Sequence, residues 1–249
     1  MNTIAPDVLL VSVGVFLFAG AIKGLLGIGL PTVAIALLTL LVDPRIAIAL
    51  LLLPALSSNA WQIYRGGQIL QTIKRLWLFV ACMIAVMVWV VQFAAEAPKE
   101  TLLLAIGIMI LLWALSSLIK SPPPIPARLD RLAQCIAGCI AGFTGGLTGL
   151  WTPSTGVYLL ASRVDKDDFV RGVGLLVFSG MLPLTVGYWF TGLLDTSLVM
   201  SSAVMIVPTL LGFAIGEHLR RFIRAEQFTR WVLAGFCILG ASLIWRGVG

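Results

Sequence analysis

The sequence contains little charge for its length. Only 11% of its 249 residues are Asp, Glu, Lys or Arg, whereas 59% are hydrophobic, and the mean hydropathy is +1.04. A soluble domain carries about 25% charged residues, so this composition excludes an ordinary soluble domain. Apolar runs of about 20 residues, the length that a helix needs to cross a bilayer, recur along the whole chain. We therefore expect an all-α polytopic membrane protein.

Histidine and acidic side chains are missing from the interior of the apolar runs. The single histidine, His218, adjoins Glu217 at the end of a run. This absence argues against a membrane enzyme and against a carboxylate-based proton relay, and we predict no catalytic residue, metal or cofactor. The four cysteines lie in apolar runs and are interpreted as packing residues.

Eight apolar segments can be read from the chain: 8–42, 46–64, 76–95, 101–119, 132–162, 172–192, 197–216 and 231–245. Six of them fit one crossing each. The segments 8–42 and 132–162 are too long, because a helix over 8–42 would extend about 52 Å against a hydrocarbon core of about 30 Å. Both contain glycines followed by a proline, which favour a break. We predict that both fold back as broken-helix hairpins, giving about ten helical pieces.

The two long segments also match each other. Gly20, Gly24, Gly27 and Pro31 recur at a constant separation of 122 residues as Gly142, Gly146, Gly149 and Pro153. Such self-similarity indicates an internal duplication. It divides the chain into a first transmembrane repeat (1–119), a Pro-rich cytoplasmic linker (120–131) and a second transmembrane repeat (132–249).

Lysine and arginine predict the orientation. Cytoplasmic loops of membrane proteins are enriched in both residues, and four basic clusters are assigned to that side: Arg65, Lys74 and Arg75; Lys120, Arg128 and Arg131; Arg163, Lys166 and Arg171; Arg220, Arg221, Arg224 and Arg230. These loop residues explain the net charge of +6. We therefore do not interpret that charge as a sign of nucleic-acid binding. Both termini then lie on the periplasmic side, and the halves become two inverted-topology repeats, each a hairpin plus three transmembrane helices.

The two breaks predict a binding site. Helices that begin after them would present free N–H groups and positive dipole ends to an anion, and we expect both breaks to meet near the membrane midplane. Lys23 is the most specific candidate, since an ionisable residue inside a membrane segment indicates function by default. The candidate substrate-binding residues are Lys23, Gly24, Gly27, Gly29, Pro31, Thr32, Asn59, Gly145, Gly146, Gly149, Trp151, Pro153, Ser154, Thr155 and Arg171.

Structural alternatives exist for several of these residues. The glycines would also allow close helix packing, and Lys23 would also snorkel to a polar surface. Arg171 would also be one more cytoplasmic charge, Asn59 a bridge between helices, and Trp151 an interfacial anchor.

The paired glycine and proline motifs at 20–31 and 142–153 resemble the signature of the sulfite exporter TauE/SafE family, also called the 4-toluene sulfonate uptake permease family. The resemblance spans the whole chain. It implies an inner-membrane transporter of sulfite, organosulfonates and related small organic acids. The chain departs from the family motif at Ile28, where consecutive glycines are frequent, and at Trp151, where glycine is common.

We therefore predict a secondary transporter of small anions, sulfur oxyanions or organosulfonates, that works by alternating access. Its partners would be the small anionic substrate and the lipid bilayer. A coupling ion (H+ or Na+) and a homo-oligomer stay open at this stage. A passive anion channel and a non-transporting membrane partner subunit are the alternative functions.

Overall fold

A computed structural model of the chain describes residues 6–116, 122–220, 222 and 225–248. Within these ranges the chain is helical, with no β-strand and with one short 3-10 helix at Ala127–Leu129. The α-helices of the described ranges are α1 (Pro6–Leu26), α2 (Leu30–Leu38), α3 (Pro44–Gly66), α4 (Ile69–Glu96), α5 (Lys99–Ser116), α6 (Asp130–Thr148), α7 (Thr152–Ala161), α8 (Lys166–Phe190), α9 (Thr196–Val204), α10 (Ile206–Leu219) and α11 (Ala225–Val248). The predicted all-α class is confirmed.

Among the described residues, five helices are long and apolar enough to cross a membrane: α1, α3, α4, α8, and α9 with α10 taken as one. Large apolar side chains on their outer faces are exposed, as at Leu70, Phe93 and Phe190, which is what a lipid environment requires. The count of eight segments stays a prediction. Lys120, Arg221 and Arg224 lie outside the described residues, as does the side chain of Arg230.

Both long apolar segments break where glycine and proline predict. α1 ends just before Gly27 and α6 just before Gly149, whose φ angles of 78° and 70° lie in the left-handed region that glycine adopts without strain. Pro31 and Pro153 each follow as the second residue of the next helix, where a missing N–H costs nothing. The two predicted hairpins therefore form, α1–α2 and α6–α7.

α3 continues through an internal proline because the other half of the chain supplies a hydrogen bond. Pro54 has no N–H, so the carbonyl of Leu50 loses its helical donor. The Ser202 hydroxyl of α9 donates to that carbonyl at 2.9 Å and accepts from the Leu53 N–H at 3.2 Å. The helix thus stays intact at a position where proline would otherwise leave a buried carbonyl unpaired.

The first helix of each half packs on the fourth helix of the other half, when α9 and α10 are counted as one helix. α1 lies along α10, where a Cβ on Gly20 or Gly24 would collide with α10 backbone. α6 lies along α4, where a Cβ on Gly142 would collide with the Met83 carbonyl. Small residues allow such close approach of helices in membranes. The halves therefore make reciprocal contacts, and α3 packs on α8 and α5 on α11.

The described basic loops gather at one end of the helix bundle, which we call the basic end. Four contacts join them: Arg65 with Glu217 (2.7 Å), Arg75 with Asp168 (3.5 Å), Arg171 with the Gly66 carbonyl (3.3 Å), and Arg163 with the Pro122 carbonyl (3.3 Å). At the other end Arg45 donates to the Ala97 carbonyl. The described basic loops therefore share one end of the bundle, and the assignment of that end to the cytoplasm stays a prediction.

The two hairpin tips, residues 27–29 (the first tip) and 149–151 (the second tip), do not meet. The Gly27 carbonyl accepts from Gln62, near the end of α3, whereas a Cβ on Gly149 would lie 3.3 Å from Ile48, near its start. These contacts are separated by about 21 Å along α3. The expectation of a shared point is wrong because α1 and α6 each extend about 30 Å before they end, which brings their tips to opposite ends of α3.

Candidate functional site

Lys23 is buried one turn before the first tip. Its side chain lies in the last turn of α1, and the residue is 2% exposed. Nζ donates to Ser58 Oγ at 3.1 Å and to Asn59 Oδ1 at 2.7 Å. No carboxylate in the described ranges forms an ion pair with it. The group therefore does not snorkel to the surface, and its charge is held by neutral acceptors alone.

The partners of Lys23 are themselves held in place by α3. Asn59 Nδ2 donates to the Ala55 carbonyl at 2.7 Å, and Ser58 Oγ donates to the same carbonyl at 3.3 Å. The amide nitrogen of Asn59 faces a carbonyl, so its oxygen is the atom that faces Lys23. An ammonium group has three N–H donors, and these two contacts use two of them. The face of Phe213 lies 5.9 Å from Nζ.

A cavity of about 240 Å³ adjoins Lys23 at the basic end. Its lining includes the cations Lys23, Arg65 and Arg220 and the carboxylate of Glu217. Arg65 binds Glu217 at 2.7 Å, and both side chains are about half exposed, which places this pair at the mouth. Three cations against one carboxylate give the cavity a net positive charge, which favours anions.

Among the remaining candidates of the first half, Gly29, Pro31, Thr32 and Asn59 lie outside the lining of this cavity. Gly24 and Gly27 line it, while Asn59 holds Lys23 from α3. Gly29 precedes α2 with φ 105° and offers no side-chain cap, so the first-turn N–H groups of α2 have no intrahelical acceptor. Pro31 and Thr32 are buried in that first turn.

Arg171 lies at the edge of the site. Its guanidinium binds Asp168 at 2.5 Å and donates to the carbonyl of Gly66, a residue that lines the cavity. Arg171 thereby joins the start of α8 to the end of α3. This position fits a substrate-binding residue and also fits one more charge at the basic end.

The indole ring of Trp151 fills the space beside the second tip. Trp151 is 1% exposed, and its indole occupies the space in front of Gly145 and Gly180, where an added Cβ would lie 2.5 and 2.7 Å from ring atoms. The interpretation of Trp151 as an interfacial anchor is therefore wrong. The second-tip candidates lie outside the lining of the Lys23 cavity: Gly145, Gly146, Gly149, Trp151, Pro153, Ser154 and Thr155.

Two polar atoms at the second tip are buried without a partner in the described part of the chain. They are Trp151 Nε1 and Thr155 Oγ1. Ser154, by contrast, donates from its hydroxyl to the Trp151 carbonyl at 3.0 Å, and Gly146 faces Val90 of α4, as the packing interpretation of the glycines predicts.

Gln62 belongs to this site but is not among the residues that the sequence predicts. Its Nε2 donates to the Val170 carbonyl at 2.8 Å and to the Gly27 carbonyl at 3.4 Å, so it joins the first tip to α8. A sequence signal existed, because Gln62 follows Asn59 by three residues and therefore shares its helix face. Phe213, Glu217 and Arg220 join the site only through the packing of α10 on α1.

The family comparison covers nearly the whole chain. Residues 12–243 match the model of the family described as Sulfite exporter TauE/SafE. The chain belongs to the TauE/SafE family. Comparison with curated proteins and with solved structures gave no match.

Membership in the TauE/SafE family makes the chain a multi-pass membrane protein from a family of anion transporters, not of enzymes. Both glycine and proline motifs lie inside the matched residues. The geometry also explains how this TauE/SafE chain accepts a tryptophan in its second motif. Gly29 precedes α2 with φ 105°, whereas Trp151 precedes α7 with φ −124°, a value open to any residue.

Proposed function

We propose that this TauE/SafE chain is a secondary transporter that carries small anions, specifically sulfur oxyanions or organosulfonates, across the inner membrane by alternating access. The observation that supports the proposal is Lys23, a buried cation whose hydrogen-bond partners are the neutral groups of Ser58 and Asn59. An anion in the adjoining cavity would supply the missing opposite charge.

The energetics of such a site favour an anion over a neutral solute. Burying an isolated charge is costly unless it is paired and hydrogen-bonded, and this applies both to Lys23 and to an oxyanion that leaves water. Each would compensate the other. The N–H groups at the start of α2 lie at the same tip and stabilise negative charge, and Arg65 and Arg220 would attract anions to the mouth.

Alternating access is supported by the reciprocal contacts between the halves and by the different states of the two tips. The first tip adjoins a cavity at the basic end, and the second tip is packed around Trp151. In two inverted-topology repeats, a movement of one half against the other would close the first tip and open the second. The basic end would then face the cytoplasm and both termini the periplasm.

The test replaces the charge of Lys23 without changing the shape of the side chain. In proteoliposomes that exchange labelled sulfite for internal sulfite, we expect Lys23→Met to lower the counterflow rate at least about tenfold, because one charge-assisted hydrogen bond is worth about 1.5–3 kcal/mol. Lys74→Met is the matched control, since Lys74 is an exposed lysine at the same end.

The outcome also separates the alternatives. Parent-like counterflow by Lys23→Met would reject the site. Sulfite flux without counterflow would indicate a passive channel, and absence of any anion flux from the parent protein would indicate a non-transporting subunit.

A further inference from the structure

Gln62 lines the Lys23 cavity, is 6% exposed and carries a buried hydrogen-bond acceptor. Its Oε1 atom is buried and accepts no hydrogen bond from any residue that the structure describes. Gln62 lies three residues after Asn59, on the same face of α3 as the group that holds Lys23.

The orientation of the Gln62 amide is determined by its neighbours. Nε2 faces two carbonyl oxygens, those of Val170 at 2.8 Å and Gly27 at 3.4 Å. A carbonyl only accepts, so the nitrogen must be the atom at these positions, and an exchanged amide would place oxygen against oxygen. Both amide hydrogens are thereby used. Toward a ligand Gln62 therefore offers only an acceptor.

The nearby side-chain donors leave this acceptor unpaired. Lys23 directs two of its hydrogens to Ser58 and Asn59, and Arg65 is bound to Glu217. A buried acceptor without a donor is destabilising, because it has lost its hydrogen bond to water and gained none in return. A ligand that brings its own donor removes this cost, whereas one that presents only lone pairs adds repulsion to it.

We infer that this site selects anions that carry an O–H or N–H donor beside the charged group. The inference rests on the proposed function and adds the chemical class of its substrate. The anionic oxygens would face Lys23, and the donor would face Gln62 Oε1. Hydroxyalkanesulfonates and singly protonated oxyanions belong to this class. Fully deprotonated oxyanions and plain alkanesulfonates do not.

The test uses two sulfonates of nearly equal size. 2-Hydroxyethanesulfonate and propane-1-sulfonate differ in a terminal hydroxyl against a methyl group. Each is titrated as an inhibitor of labelled sulfite counterflow by the parent protein. We expect the hydroxylated anion to inhibit at about tenfold lower concentration, the ratio that corresponds to one satisfied acceptor.

Two variants assign the preference to Gln62. Gln62→Met keeps the length of the side chain and should bring the ratio of the two inhibitory concentrations to within about twofold of one. Gln134→Met is the matched control. Gln134 is also a buried glutamine, but it lies in α6, where its amide binds Asp130 of the same helix and the Phe79 N–H of α4, so its loss should leave the ratio at the parent value.

The ratio is measured within each protein and requires only residual transport. Where Gln62→Met retains none, thermal stabilisation of the purified variants by the two sulfonates gives the same ratio. Equal inhibition by both sulfonates in the parent protein overturns the inference and leaves the proposed function standing. A parent-like ratio in Gln62→Met overturns it as well. Absence of sulfite counterflow from the parent overturns the proposed function itself.

Discussion

The two hairpin tips have the same backbone construction and different chemistry. Each ends its first helix before a left-handed glycine, Gly27 or Gly149, and begins its second with a proline in the first turn. At equivalent positions, however, the first tip carries Lys23 and Gly29, and the second carries Gly145 and Trp151.

The difference in residues between the two tips has a steric basis. In the second half the ring of Trp151 occupies the space into which a side chain at 145 would project. In the first half glycine at 29 leaves room, and a lysine stands at the position equivalent to 145. One large side chain per tip is therefore the arrangement that both hairpins share. The two hairpins have the same backbone construction, and the cation is confined to the first.

Giving Lys23 a permanent counter-ion should remove what distinguishes the first tip, and this is the largest effect that we expect. Asn59→Asp would place a carboxylate at the atom that now accepts from Nζ at 2.7 Å. Separating a buried ion pair costs about 3–5 kcal/mol, so an anionic substrate would compete poorly, and sulfite counterflow should fall about a hundredfold.

The comparison variant is Asn59→Leu, which removes the acceptor without adding charge and should reduce counterflow less than Asn59→Asp. Equal rates for Asn59→Asp and the parent protein would show that Lys23 does not contact the transported anion.

Filling the space in front of Trp151 should destabilise the second tip. A Cβ on Gly145 would lie 2.5 Å from the indole ring, so we expect Gly145→Ala to cost about 1–3 kcal/mol through overpacking. That would lower the unfolding temperature by about 2–4 °C for each kcal/mol, measured by thermal unfolding in detergent.

Gly156→Ala is the control on the same hairpin, because a Cβ there meets nothing within 4 Å. It should be neutral or slightly stabilising, as alanine is the better helix former. If Gly145→Ala were equally neutral, the ring of Trp151 would not be fixed against α6.

Neutralising the carboxylate at the mouth should have the smallest effect. Glu217→Gln releases Arg65, which binds Glu217 through partly exposed side chains. Interactions between exposed charges are weak and screened by salt. We expect the apparent KM for sulfite to fall about twofold at low ionic strength and to match the parent value at high salt. A shift that persists at high salt would contradict this surface role.

Local features of the fold could be predicted from the sequence, and distances between them could not. The breaks after Leu26 and Thr148 follow from glycine and proline, whose backbone restrictions act within a few residues. The separation of the tips depends on how far α1 and α6 extend into the bundle before they break. Apolar residues alone do not show how deep in the bundle each helix ends.

The candidate site divides in the same way. Lys23 was recognisable because a lone cation in an apolar run has no ordinary packing role. The contribution of Gln62 depends on carbonyls supplied by the first tip and by α8, and Phe213 reaches the site from α10. The burial of Trp151 could not be predicted, because a buried tryptophan and an interfacial tryptophan have the same sequence signature.

The hydroxyl of Ser202 has a mechanical consequence. It replaces the helical bond that Pro54 removes from α3, and it belongs to α9, in the other half of the chain. Sliding α3 past α9 would leave the Leu50 carbonyl unpaired in an apolar interior, at a cost of about 1–3 kcal/mol. A movement of one half against the other that separates α3 from α9 therefore carries this cost, so this pair resists sliding more than helices joined by apolar contacts alone.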